Sequence, residues 1–159
     1  MPVHFKQANA ESTDFEDGSF DLVVSHILLH ETSQKAMPKI FSECHRLLKP
    51  GGLMVHADLP PFENMDAYMQ LILDNETWYN NEPFWTAMRN IDQIQLSEKA
   101  GFKKEDVYFD TAPMAIMEFA NADTTVPEDE PEDREFVAGE YAPGGGWEVL
   151  VAKKQSKVA

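Results

Sequence analysis

The chain has 159 residues, 43% of them hydrophobic, with 28 acidic against 13 basic side chains and a formal net charge of -15. That length fits one domain with a real core, and the charge repels phosphate backbones and anionic lipid, which argues against nucleic-acid or membrane-surface partners. No apolar run approaches the ~20 residues of a membrane span and no basic-then-apolar leader opens the chain, so a cytoplasmic protein is expected.

In chain order, His4–Ala8 is a weak strand candidate, Asn9–Thr13 is polar and loop-like, and Glu16–Ser19 is a turn in which Gly18 can take positive φ. Phe20–Ser25 reads as a strand whose continuous Leu22-Val23-Val24 run predicts burial on both faces. His26–Thr32 follows as a loop or short helical turn. Met37, Ile40, Phe41, Cys44, Leu47 and Leu48 then recur at helical spacing, with Pro38 suited to the first turn. Cys44, the single cysteine, falls on that apolar stripe, where a small buried hydrophobe fits better than a reactive thiol. Lys49-Pro50-Gly51-Gly52 stops the helix, and Leu53–Ala57 is the next strand.

After the Pro60-Pro61 break, Asn64 is a candidate cap for a helix with Met65, Tyr68, Met69 and Ile72 on one face. Trp78–Trp85 reads as an aromatic, proline-interrupted loop, and a helix over Asp92–Ala100 ends at Gly101. Phe102–Thr111 and Trp147–Ala152 are strand candidates. Between them, 123–135 is acidic and proline-broken, which predicts a mobile surface loop, and Pro143–Gly146 is a turn. The pattern is α/β with a mostly parallel sheet, the last strand free to pair antiparallel because no crossover helix precedes it. In such sheets ligands sit beyond the carboxyl ends of the strands, which points to Asn9, Ala10, Ser25, His26, Asp58 and Leu59.

Two spaced motifs carry a family likeness. Ala10–His30, containing Gly18-Ser19-Phe20-Asp21-Leu22-Val23, followed by Arg46–Leu53, containing Leu48-Lys49-Pro50-Gly51-Gly52, resembles a class I S-adenosylmethionine-dependent methyltransferase. Ala100-Gly101-Phe102 is similar to that family's entry to its sixth strand, and Trp147–Lys154 to its last. The resemblance spans Phe5 to Lys154 and implies a partial Rossmann-like sheet. His4–Ala8 would be the family's third strand, Phe20–Ser25 the fourth, Leu53–Ala57 the fifth and Phe102–Thr111 the sixth. Trp147–Ala152 would be the seventh, inserted antiparallel between the fifth and sixth. Residues 1–154 would then form one methyltransferase domain with a lid or acceptor region at 60–91, and 155–159 a tail.

The resemblance also implies site residues. Asn9 and Ala10 fall where the loop after the third strand meets the adenine of S-adenosyl-L-methionine, and Ser25 and His26 near its methionine part. His26, His30 and Asp58 are the rim groups available for proton transfer at a small-molecule acceptor. A hydrogen-bonded histidine packing a helix start is the alternative for His30. Trp78, Tyr79, Phe84 and Trp85 would line the acceptor pocket, or pack a lid helix. Asp21 reads as structural, His45 and His56 read as exposed or structural, and the histidine spacings suggest no metal site.

The family's Gly-rich loop and the acid after its second strand have no counterpart ahead of His4, and Gly144–Gly146 opens no helix. The chain therefore reads as truncated: a methyltransferase part, weak or inactive by itself, that needs a longer chain or a complementing partner. The alternative is a non-catalytic remnant that binds or oligomerises through an exposed edge of the fourth strand.

Overall fold

The computed structural model describes residues 3–59, 61–62, 65–112 and 147–156. Strands β1 (Phe20–His26), β2 (Leu48–Asp58), β3 (Val107–Ala112) and β4 (Trp147–Lys153) form a four-stranded sheet in the order β1-β2-β4-β3. β1 runs parallel to β2, and β4 pairs antiparallel with both β2 and β3. Three strands thus point one way and β4 alone is reversed, inserted between its neighbours as the resemblance implies.

Helix α1 (Met37–Leu47) crosses from β1 to β2 and buries Met37, Ile40, Phe41, Cys44 and Leu47, the stripe expected from the spacing. Each large apolar side chain so buried contributes about 1.5–3 kcal/mol. Burial, reinforced by the neighbouring Glu43 charge, pushes the Cys44 thiol up to about 12, so it is an inert packing group. The chain turns directly from α1 into β2, which starts earlier than expected and includes Lys49–Gly52. Here β1 and β2 approach closely: a Cβ on Gly52 would stand 3.0 Å from the carbonyl oxygens of Asp21 and Lys49. The register shifts at the same place, between Phe20 and Leu22.

Helix α4 (Gln93–Ala100) packs on α1 and closes the core. Asp92 caps it by accepting from the Gln95 N–H at 2.8 Å, and Gly101 ends it in the left-handed region at φ 115°. Helices α2 (Ala67–Tyr79) and α3 (Trp85–Arg89) lie between β2 and α4 in sequence. No helix among the described residues is long and apolar enough to cross a membrane.

Several sequence expectations are corrected. His4–Ala8 is not a strand; it runs without regular secondary structure, as expected of a segment with no sheet neighbour to take its backbone hydrogen bonds. β1 is buried on one face only. Val23 packs against the core, whereas Leu22 and Val24 are 51% and 63% exposed. The apolar face read for α2 is only partly covered: Tyr68 and Ile72 are exposed, and Met69 is half-buried. Asp66 caps α2, accepting from the Tyr68 and Met69 N–H groups at 2.9 and 3.0 Å, while Asn64 lies outside the described residues. Trp78 and Tyr79 end α2 and Trp85 opens α3, so the aromatic loop is confined to residues 80–84. Phe102 is a core residue ahead of a 3-10 turn, and β3 starts only at Val107. The acidic 123–135 segment and the Pro143–Gly146 turn also lie outside the described residues.

Candidate active site at the carboxyl end of the sheet

β2 ends at Asp58, which is 3% exposed and organises the loop that leaves β1. Its Oδ2 accepts from the N–H groups of Leu28 and Leu29 at 3.1 and 2.7 Å. Its Oδ1 accepts from the Leu59 N–H at 2.8 Å and from His30 Nδ1 at 2.6 Å. Two of the sequence-predicted candidates are thereby joined. His30, also 3% exposed, lies on a 3-10 turn (Leu29–Glu31), so the hydrogen-bonded histidine considered from sequence is observed. With Nδ1–H held by the carboxylate, the neutral form of the imidazole carries its lone pair on Nε2. That nitrogen is 3.8 Å from Glu31 Oε1. His30, Glu31 and Glu82 together bring three donor atoms within 4.8 Å of one another, a cluster of the hard-oxygen and imidazole type that the histidine spacing gave no reason to expect.

Of the other candidates, Ser25, Asn9 and Ala10 are not joined to this pair by any hydrogen bond among the described residues. Ser25 Oγ is engaged with His56 Nδ1 at 2.6 Å, and His56 stacks on Phe41 with ring centroids 5.2 Å apart. Burial, opposed by the charge of Asp58, pushes His56 down to about 4, so its ring is neutral and structural. His26 is exposed at the end of β1. The next residue, Ile27, has φ 54°, a conformation that costs a β-branched residue about 1–3 kcal/mol and that marks the strand end as a strained rim. Asn9 and Ala10 are exposed in a turn closed by the Ser12 N–H to the Asn9 carbonyl at 3.0 Å.

The four aromatic candidates separate. Trp78 and Tyr79 are 82% and 80% exposed. Phe84 and Trp85 are partly buried, and the Trp85 ring meets His30 edge-on at 5.2 Å between centroids. A cavity of about 510 Å³ opens nearby, and none of these aromatics lines it; its walls include Phe62, Arg89, Gln93, Lys104 and Phe109. Arg89 was not anticipated. The available signal was an arginine four residues after Trp85, which places both on one helical face.

Residues 1–56 match the family described as a methyltransferase domain. Over 98 residues the chain is 34% identical to an uncharacterized methyltransferase of Synechocystis sp., covering 62% of this chain and 45% of that protein. The chain thus spans less than half the length of that relative. Among solved structures it is similar to a SAM-dependent methyltransferase of Methanosarcina mazei, with TM-score 0.55, 18% identity, and coverage of 96% of this chain and 68% of the other. It is also similar to phosphoethanolamine N-methyltransferase 2 of Haemonchus contortus in complex with S-adenosyl-L-methionine, with TM-score 0.56 and 17% identity over 92% of this chain and 36% of the other. At these identities the structural likeness speaks for the fold.

Proposed function

We propose that the chain belongs to the class I S-adenosylmethionine-dependent methyltransferase family and that it contributes the acceptor side of a site that methylates a small molecule. The observation that carries this reading is the Asp58–His30 pair at the carboxyl end of β2, where an open α/β sheet places its ligands. Asp58 fixes the imidazole so that Nε2 faces away from the strand end, ready to accept a proton from an acceptor hydroxyl or amine as that group attacks. Trp85 holds the ring edge-on and limits its rotation. S-adenosyl-L-methionine, when bound, supplies the activated methyl group. His26 at the end of β1 and Asn9 and Ala10 in the turn ahead of it in sequence are exposed, and Ser25 presents a hydroxyl already bonded to His56.

Full cofactor affinity in this reading needs a Gly-rich strand–loop–helix and a ribose-binding acid from elsewhere, in a longer chain or a complementing chain. Titration of S-adenosylhomocysteine into the purified chain by calorimetry tests this. Weak or undetectable binding is expected, and micromolar binding by the monomer would overturn it.

A second reading has its own observation. Leu22 and Leu53 pair across β1 and β2, and Val24, Val55, Val151 and Tyr108 form one row across all four strands. Leu22, Val24, Leu53 and Tyr108 in these rows are 37–63% exposed. Parallel strands are normally covered on both faces, so this apolar face and the free edge of β1 favour a chain that associates with another copy or a complementing segment.

A further inference from the structure

Arg89 ends α3 as a buried cation without an anionic hydrogen-bond partner among the described residues. It is 1% exposed, its guanidinium lies 4.4 Å above the Phe62 ring, and Nη2 donates only to the Met65 thioether at 3.5 Å. Nε and Nη1 are buried with no hydrogen-bond partner among the described residues. Either planar fork of the group, Nε with Nη2 or Nη1 with Nη2, therefore has a nitrogen unpaired and another held only by sulfur. Trp85 Nε1, one turn back on the same helix face, is a third buried donor without an acceptor. Buried donors in native proteins are almost always paired, and an unpaired charge is among the costliest exceptions. Burial pushes Arg89 down to about 10 even with the charges of Asp74 and Glu148 opposing, so the group remains a cation at neutral pH.

Arg89 also lines the cavity of about 510 Å³, a volume suited to a small organic ligand. Among the described residues the other cation on its wall is Lys104, and the wall carboxylates are Asp92, committed to the α4 cap, and Glu98. We propose that this cavity is a subsite for the anionic group, carboxylate or phosphate, of a small ligand, with the Arg89 fork as its anchor and Phe62 fixing the plane of the fork. The proposal rests on the methyltransferase reading only in calling that ligand the acceptor; the cavity and the Asp58–His30 pair share no wall residue, and Trp85, which meets His30 edge-on, is on the Arg89 helix.

The test uses binding alone, so it stands apart from whether methyl transfer occurs. Benzoate, phenyl phosphate and the neutral benzamide are titrated into the full chain by calorimetry. Binding of at least one anion at least about tenfold tighter than benzamide is expected, the difference one good charged contact makes; whichever anion binds more tightly identifies the source. Arg89→Met should abolish the preference while melting no lower than the parent, because it removes an unpaired buried charge. Equal affinity for benzoate and benzamide, no binding of either anion, or an unchanged preference in Arg89→Met would each overturn the proposal. Should Arg89→Met not fold, the arginine Nε–H resonances of the parent decide. Benzoate or phenyl phosphate must shift the one that Arg89→Lys removes, and an unmoved resonance counts against the subsite.

Discussion

His30 and Asp58 stand 28 residues apart in sequence and 2.6 Å apart in space, joined through Nδ1–H and a carboxylate that also receives three backbone N–H groups. The carboxylate is therefore as much the organiser of the loop after β1 as a partner for the imidazole. Asp58→Asn removes the charge, leaves one acceptor oxygen of two, and turns an NH₂ toward groups that are themselves donors. A loss of about 2–4 kcal/mol is expected, read as a lower urea midpoint with an unchanged slope. His30→Gln should cost less stability, because the backbone contacts to Asp58 persist.

Gly101 offers a test of the α1–α4 contact. At φ 115° an L side chain is strained, and a Cβ there would stand 2.9 Å from the His45 ring, which in turn meets Phe102 edge-on at 4.8 Å. Gly101→Ala should destabilise by about 1–3 kcal/mol, combining left-handed strain with overpacking. Thermal melting checks it, and His45→Ala in the same chain should recover part of the loss by opening the space.

Local chemistry made much of the fold legible. The α1 stripe from Met37 to Leu47 and the Gly101 stop are written in spacing and residue type, and each stands as read, while Asp92, read as the first residue of the helix, is its cap. The errors fall where neighbours decide. Leu22-Val23-Val24 has the composition of a strand covered on both sides, but composition cannot say whether anything lies on the second face. His4–Ala8 has strand-like residues without a partner strand beside them. Asp58 and His30 were each visible as rim residues, yet their contact depends on how tightly the loop after β1 folds back on β2, which no spacing encodes. Arg89 was hidden for the same reason: a polar residue in a short helix reads as a solvent-facing one until its surroundings are known.

The exposed edge and face of β1 give a prediction about assembly. Val24 is 63% exposed in the centre of the strand, beside Leu22 at 51%. If that surface drives association, Val24→Lys should shift the chain toward monomer, since a charge on an edge strand blocks further pairing. Folding stability should change by no more than about 0.5 kcal/mol, as for other exposed sites. Light scattering over a concentration series reads the outcome. A parent chain that is already a clean monomer at high concentration would dispose of the association reading.

Two buried titrating groups make stability pH-dependent in windows that barely overlap. Glu43 accepts from Arg46 Nη2 at 2.6 Å and from the Thr13 N–H and hydroxyl at 2.7 and 2.6 Å. The Arg46 hydrogen bond first, then Thr13, hold its carboxyl at about 2, against an ordinary 4.5, despite burial. Its folded pKa is depressed, so its contribution is fully present above pH 4.5 and is lost as pH falls from there through 2. His56 has the same direction of shift for another reason: burial holds it at about 4 against 6.5. The unfolded chain takes up that proton below pH 6.5 while the folded chain does not until about 4. Stability from this source is therefore lost between those values, by up to about 3 kcal/mol. Urea midpoints measured from pH 7 to 2.5 should show two descending stretches. His56→Gln, which keeps a polar partner for Ser25, should flatten the stretch between 6.5 and 4 and leave the lower one. Glu43→Gln should flatten the lower stretch and leave the upper. A profile whose upper stretch survives in His56→Gln would mean that another group carries it.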